Sequence, residues 1–209
     1  MEIMQATEAH AQKWGDEVAD LVYETGPTTY EYQFGGREYY DEIVKASWSR
    51  AGTLFGYDCT TIAVEGDELL AIEIGFRGPE FAARKKTLGP LWAPLIESGR
   101  VSREQLGEIG RAAYLASYLN VAIPSAVYYV HALAVVESRR GEGIGKQLMQ
   151  RAIDDSKSAG LRGVHLDVLS GTPAVGFYDS LGMECLTETV APIPHEHGIP
   201  MEMRMSLDF

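Results

Sequence analysis

Residues 133–151 read LAVVESRRGEGIGKQLMQR, and the rest of the chain can be placed around this stretch. An apolar run ends at a polar corner, three glycines follow at alternate positions, and an amphipathic run comes next. Across the glycines the apolar spacing changes from that of a strand to that of a helix. The stretch therefore predicts a strand, a tight turn and a helix whose first N–H groups suit a phosphate.

The glycine spacing excludes two common nucleotide loops. A P-loop has four residues between its glycines and a Ser or Thr after the Lys, whereas Gln147 follows Lys146 here. The dinucleotide fingerprint reads G-x-G-x-x-G, whereas Gly141, Gly143 and Gly145 read G-x-G-x-G. A strand–turn–helix corner without a ligand remains an alternative for this stretch.

A third pattern fits. Arg140, Gly143 and Gly145 form Arg-x-x-Gly-x-Gly, preceded by Leu133 and Val135. This arrangement resembles the acetyl-coenzyme A motif of the GCN5-related N-acetyltransferase (GNAT) superfamily.

A second segment, residues 166–183, strengthens the resemblance. It reads LDVLSGTPAVGFYDSLGM, and in the GNAT superfamily a strand is followed by Asn-x-x-Ala-x-x-(Phe/Leu)-Tyr-x-x-x-Gly-(Phe/Met). The positions that match in spacing are Ala174, Phe177, Tyr178, Gly182 and Met183. Gly171 stands where the family has Asn, which puts one contact to the pantetheine arm in doubt.

The resemblance implies an α/β fold of the α+β type over residues 1–209 as one domain. The GNAT fold is a mixed seven-stranded sheet, splayed between its fourth and fifth strands and flanked by helices. A helical insertion at about residues 77–124 precedes the fourth strand. Two readings of the insertion stay open, a substrate lid built from two helices and a dimer contact or packing elaboration.

The implied activity is transfer of an acetyl group from acetyl-CoA to a primary amine, directly and within a ternary complex. The acceptor is a small cationic amine or a peptide or protein amine. The alternatives are a non-catalytic CoA-binding sensor and an acyltransferase that uses another acyl-CoA or a hydroxyl acceptor. The implied cofactor-binding residues are Leu133, Ala134, Val135, Arg140, Gly141, Glu142, Gly143, Ile144, Gly145, Lys146, Gly171, Ala174, Phe177 and Tyr178.

Catalytic candidates also follow from the resemblance. Tyr178 occupies the family's general-acid position, and the N–H of Leu133 is the candidate oxyanion donor. Asp167 lies where some relatives carry a catalytic Glu, and His165 and His131 are bases by their ordinary pKa. A chain of water molecules could replace any single base.

The amino-acid composition limits the kinds of molecule that this protein is expected to bind. A formal net charge of −12 argues against nucleic acid or an anionic membrane surface, and it suits either a cationic acceptor or simple solubility. Cys59 and Cys185 have no metal-ligand spacing and are expected to be reduced thiols of a cytoplasmic protein. No apolar run reaches membrane length. A homodimer is the assembly common among GNAT relatives.

The N-terminal half has the family's order of elements. A strand is expected within residues 1–6, a helix from Thr7, a second helix ending near Gly52, and a hairpin of residues 60–64 and 69–76. Between the helices, residues 28–34 read TTYEYQF, which is rich in β-formers. The aromatic residues of this segment are candidates for the acceptor-site wall, or for core packing: Tyr30, Tyr32 and Phe34.

The C-terminal end predicts two antiparallel strands, residues 184–190 and 201–207. Between them, His195 and His197 flank Glu196 in a proline-rich segment. Two histidines without a third ligand indicate a mobile polar loop, so no metal site is expected.

Overall fold

The computed structural model describes residues 1–209. Its strands are β1 (Glu2–Gln5), β2 (Thr60–Glu65), β3 (Glu68–Arg77), β4 (Val127–Val135), β5 (Gly163–Leu169), β6 (Glu184–Thr189) and β7 (Glu202–Asp208). Its helices are α1 (Glu8–Lys13), α2 (Gly15–Glu24), α3 (Pro27–Phe34), α4 (Arg37–Trp48), α5 (Glu80–Lys86), α6 (Ala93–Glu97), α7 (Arg103–Ala116), α8 (Ile144–Ser158), α9 (Pro173–Ser180) and α10 (Pro192–Glu196).

The strands form one mixed seven-stranded sheet in the order β1-β2-β3-β4-β5-β7-β6, which confirms the predicted fold class. Only β4 and β5 run parallel, and they pair from Val127 opposite Gly163 to Val130 opposite Leu166. Beyond these residues each strand continues without pairing to the other. The sheet therefore opens between its fourth and fifth strands.

Helices cover both faces of the sheet. Val164, Leu166 and Val168 of β5 pack with residues of α8 and α9 on one face. His165 and Asp167 alternate with them and point to the opposite face. That second face carries the largest core cluster, to which α2, α4 and the insertion contribute. We call it the acceptor face.

The predicted helix after the glycines is present as α8. Its buried stripe contains Ile144, Leu148, Met149, Ala152 and Ile153, at the spacing that the sequence indicated. No helix combines the length and the apolar composition needed to cross a lipid bilayer.

Four local expectations were wrong. The helix expected from Thr7 is divided at Trp14 into α1 and α2, and the segment expected to be a loop between the last two strands contains α10. Residues 28–34 are helical, because Pro27 starts α3 in its first turn and Gly35 ends it in a left-handed conformation with φ of 75°. The insertion holds three helices rather than two, since Pro94 begins α6 as a separate helix. The capping box that starts α7 is present: the Gln105 N–H donates to the Ser102 hydroxyl (3.1 Å).

Candidate active site

The glycine loop joins the end of β4 to the start of α8. Gly141 and Gly143 have φ of 83° and 81°, in the left-handed region that favours glycine. A Cβ atom at either position would meet no atom within 4 Å. Backbone conformation, not lack of space, is therefore the reason for glycine at these two positions.

The loop presents a row of free donors. The backbone N–H groups of residues 141–146 donate to no protein acceptor, and the helix ladder begins with the Gln147 N–H donating to the Gly143 carbonyl (3.1 Å). The first turn of α8 carries no acidic side chain. The Glu142 carboxylate is paired with Arg139. Such a row at a helix N-terminus is suited to a pyrophosphate.

Arg140 holds this loop in place. Its Nε donates to the carbonyl of Val135 (3.0 Å), and its guanidinium group pairs with Glu24 of α2. The side chain therefore ties the loop to the end of β4 and to the opposite layer. A direct role in phosphate binding stays a prediction.

The open edge of β4 lies beside the loop. Val130 and Ala132 face Gly75 and Ile74 of β3, so His131 is an extra residue with no partner in that ladder. From this bulge onward, β4 is unpaired on its β5 side. The backbone of Leu133, Ala134 and Val135 is therefore available to a ligand in the opening.

Helix α9 brings the second motif to the first. A Cβ atom on Gly145 would lie 3.6 Å from the Phe177 ring, an ordinary contact distance. Ala174 and Phe177 pack on the core below the opening, and Gly171 precedes α9 with φ of 77°. Gly145 of the first motif and Phe177 of the second are therefore neighbours, and their role in cofactor binding stays a prediction.

Tyr178 is buried beside this opening. Its hydroxyl has no hydrogen-bond partner within the protein, and its ring lies 5.1 Å from that of Phe177. Burial raises the pKa of Tyr178 well above its usual value, and the Glu73 carboxyl adds to the rise. The phenol therefore stays protonated at neutral pH and can donate.

Glu73 is a buried carboxyl group near Tyr178 that neither motif predicted. It is only 1% exposed, and the Tyr128 hydroxyl donates to its Oε1 (3.1 Å). Burial raises the pKa of the Glu73 carboxyl to about 8, although the hydrogen bond from Tyr128 opposes the shift. The signal in the sequence is a lone Glu within an apolar strand.

The Asp167 carboxylate is fully engaged. Arg204 Nε and Nη2 donate to it at 2.6 and 2.8 Å, and the Tyr129 hydroxyl donates at 2.8 Å. Arg204 is 2% exposed and also donates to the Val121 carbonyl. No local sequence pattern points to Arg204, because its position directly opposite Asp167 depends on the β5–β7 register.

The two histidines occupy different positions. His131 lies among aromatic rings, including Phe76 and Phe81, with its Nε2 buried and unpartnered. Burial lowers its pKa to about 4, and the Lys85 ammonium adds to the fall. His165 lies within the paired part of β5, and burial also lowers its pKa. Both imidazoles are therefore neutral at pH 7.

Two of the predicted wall residues lie together, since the ring centroids of Tyr30 and Phe34 are 6.3 Å apart. Phe34 lies in the main core, and Tyr32 packs in a smaller cluster near His197, with ring centroids 5.4 Å apart. Burial raises the pKa of Tyr30 to about 12, and the Glu202 carboxylate on the acceptor face contributes to this rise. The role of these side chains in acceptor binding stays a prediction.

Two further charges lie on this face, neither of them foreseen. Lys85 of α5 donates to Asn120 Oδ1 (3.2 Å), and Glu202 of β7 lies opposite Leu169 at the end of β5. Both side chains are half-buried. They are separated in sequence by the whole motif region, so no local pattern connects them.

A model of the acetyltransferase (GNAT) family matches residues 101–183. Among solved structures, an N-acetyltransferase from Staphylococcus aureus Mu50 is 15% identical with a TM-score of 0.74, covering 99% of this chain and 100% of that one. An agmatine N-acetyltransferase is 15% identical with a TM-score of 0.61, and a mosquito arylalkylamine N-acetyltransferase-like protein is 16% identical with a TM-score of 0.61. Each of these two covers 100% of this chain, which in turn covers 99% of each. No curated protein matches the sequence.

Proposed function

We propose that this chain, whose residues 101–183 match a model of the acetyltransferase (GNAT) family, transfers an acetyl group from acetyl-CoA to a small primary amine. The observation that carries the proposal is the row of free N–H groups at residues 141–146, next to the opening between β4 and β5. The row would hold the pyrophosphate. The unpaired edge of β4 at Leu133–Val135 would pair with the amides of the pantetheine arm.

The chemistry is direct transfer in a ternary complex. The amine lone pair attacks the thioester carbonyl, and a β4 backbone N–H, with Leu133 the first candidate, supports the developing oxyanion. Tyr178 donates a proton to the departing thiolate, because its hydroxyl is free and its raised pKa keeps it protonated.

Neither cysteine supports an acyl-enzyme route. Cys59 is buried, and burial raises the pKa of its thiol to about 12, so the nucleophilic thiolate is scarce at neutral pH. Cys185 is exposed on β6, at the sheet edge beyond β7. This position is separated from the β4–β5 opening by two strands.

A small acceptor suits the covering of the acceptor face. Phe81 of α5 stacks over Phe76 and contacts His131, and α3 brings Tyr30 to the same region. Helices therefore close over the place where the amine would enter. The solved structures of an agmatine and an arylalkylamine acetyltransferase share this fold, and they suggest the first acceptors to test.

The test is calorimetric titration of acetyl-CoA into wild type, Gly143→Asp and Gly143→Ala. Both substitutions place a side chain at φ of 81° that points into open space, but only Asp adds a negative charge. We expect Asp to weaken binding at least about 10-fold relative to Ala, which is about 1.4 kcal/mol. Equal affinity in the two variants, or no binding to wild type, would overturn the cofactor site.

A binding-competent protein is then assayed for CoA release with agmatine, tyramine, polyamines and an N-terminal peptide. Acetylated amine is identified by mass spectrometry. Binding of acetyl-CoA without transfer to any amine in the panel would contradict the proposed activity and would favour a coenzyme A sensor.

A further inference from the structure

Lys85 is a half-buried ammonium group without a counterion. Its Nζ donates to the neutral Asn120 side chain and lies 5.6 Å from the centroid of the Phe81 ring. No carboxylate forms an ion pair with it, whereas Lys13 and Lys45 on the surface both have one. Burial lowers the pKa of Lys85, and the Glu202 carboxylate partly opposes the shift.

Glu202 is a half-buried carboxylate without a cationic partner, as Lys85 is a half-buried ammonium group without an anionic one. Its half-buried carboxylate forms no side-chain hydrogen bond or ion pair. The charged and titratable groups that face it are Tyr30 on α3, Lys85 on α5, Tyr129 on β4, Asp167 on β5 and Arg204 on its own strand. Burial raises its pKa to about 7, Asp167 adds to the rise, and Arg204 and Lys85 oppose it.

The charges of Arg204 and Asp167 do not neutralise Lys85 or Glu202. Arg204 and Asp167 are bound to each other, so their charges cancel. Lys85 and Glu202 influence each other across the acceptor face but do not touch. Partly buried charges without partners are unfavourable, and a ligand with matching charges would relieve both.

We propose that the acceptor is a zwitterionic amine, whose anionic group binds Lys85 and whose ammonium group binds Glu202 and gives it a proton. The inference rests on the proposed acetyl transfer and specifies its substrate class. Lys85 and Asn120 both come from the insertion at residues 77–124, so the insertion determines specificity. A polyamine would place a second positive charge near Lys85, and such acceptors are disfavoured.

The proton balance is complete. One N–H bond of the ammonium group breaks, and its proton passes to the Glu202 carboxylate and then to solvent. The freed lone pair forms the C–N bond, the C–S bond breaks, and its electrons go to sulfur. The thiolate takes a proton from Tyr178, which recovers one from the second N–H bond that the amide loses. The products are the N-acetylated acceptor, coenzyme A with its thiol, and one proton.

The test uses three amine pairs that differ only by a carboxylate: agmatine and arginine, tyramine and tyrosine, and propylamine and 4-aminobutanoate. The kcat/KM for CoA release is measured for wild type, Lys85→Met, Lys85→Arg and Lys86→Met. Lys86 is the matched control, because it lies on the same helix and is exposed. Acetyl-CoA titration of each variant shows that it is folded and binds its cofactor.

We expect the carboxylate member of at least one pair to be preferred by about 10-fold or more in wild type, Lys85→Arg and Lys86→Met. In Lys85→Met the ratio should fall to near one. No preference in wild type, or an unchanged preference in Lys85→Met, would overturn the substrate class while leaving the acetyl transfer standing. Cofactor binding without transfer to any of the six amines would overturn the substrate class, and it would overturn the acetyl transfer as well if the polyamines and the N-terminal peptide were also not acetylated.

Glu202→Gln tests the proton acceptor separately. Wild-type kcat/KM should rise with pH through about 7, as Glu202 loses its proton. The Gln variant should be slower and lack this rise, with acetyl-CoA affinity unchanged. A Gln variant with the wild-type rate and pH profile would rule out Glu202 as the proton acceptor.

Discussion

At the scale of single residues, Arg204 and Asp167 show how one ion pair fixes the acceptor face. The side chains of Arg204 and Asp167 are only 2% and 9% exposed, and each neutralises the other directly across β5 and β7. The carboxylate that the sequence offered as a base is thereby held by two donors from Arg204 and one from Tyr129. Because all of these donors stabilise the Asp167 carboxylate, Asp167 is a poor proton acceptor, and Glu202 is the better candidate for that role.

Arg204→Met should be strongly destabilising. It leaves the Asp167 carboxylate buried without its counterion, which costs about 3–5 kcal/mol. Urea unfolding gives the free energy of unfolding, with exposed Arg162→Met as the control expected to change it little. A loss no larger than that of the control would mean that Asp167 does not need its partner.

Tyr178→Phe should lower kcat by about 100-fold, because the departing thiolate loses its proton donor. The affinity for acetyl-CoA should change little, since the hydroxyl makes no hydrogen bond within the protein and the ring is retained. Steady-state rates and calorimetry separate the two quantities. A variant with wild-type kcat would remove Tyr178 from the mechanism.

Glu73 should make stability depend on pH. Its folded pKa is about 8, above the ordinary 4.5, so the folded state binds more protons between these values. The free energy of unfolding should therefore fall as pH rises from about 4.5 to about 8, by an amount of the order of a few kcal/mol.

Urea unfolding across this range should show a smaller decline for Glu73→Gln than for wild type. Glu68→Gln, at an exposed position of the same strand, is the control and should keep the wild-type slope. If Glu73→Gln declines as steeply as wild type, another group is responsible for the pH dependence.

At the scale of helices, strands and turns, the elements with a strong local sequence pattern were predicted correctly. The glycine loop, α8, the β2–β3 hairpin and the Ser102 cap depend on neighbouring residues, and each is present as expected. Helix α3 was not foreseen, because Thr and Tyr favour strands while Pro27 and Gly35 set the ends of a helix. Pro27 and Gly35 therefore favour a helix more strongly than the Thr and Tyr residues between them favour a strand.

Gly35 should therefore resist substitution more than an ordinary turn glycine. A Cβ atom there would lie 2.8 Å from Cγ1 of Ile109 on α7, in addition to the strain at φ of 75°. Gly99 has almost the same φ, 74°, and open space around it. We expect Gly35→Ala to lose about 1 kcal/mol more than Gly99→Ala in urea unfolding. Equal losses would show that the contact between α3 and α7 adjusts freely.

At the scale of the whole molecule, the sequence predicted the sheet and the glycine loop but not the charged groups of the acceptor face. The loop is continuous in sequence, so its motif is visible without the structure. Lys85, Asp167, Glu202 and Arg204 meet only through strand register and through the way the insertion folds over β4. Long-range register leaves no local pattern, which is why these four charges were not recognised as a group.

The short parallel ladder between β4 and β5 has a consequence for folding dynamics. It is the only strand ladder that joins β1–β4 to β5–β7, and it ends at Val130 and Leu166. Each part of the sheet is otherwise antiparallel, so the two parts can form as separate cooperative units before this seam closes. A ligand that binds between β4 and β5 would add backbone hydrogen bonds that the protein lacks there. Amide hydrogen exchange should then slow in both strands together.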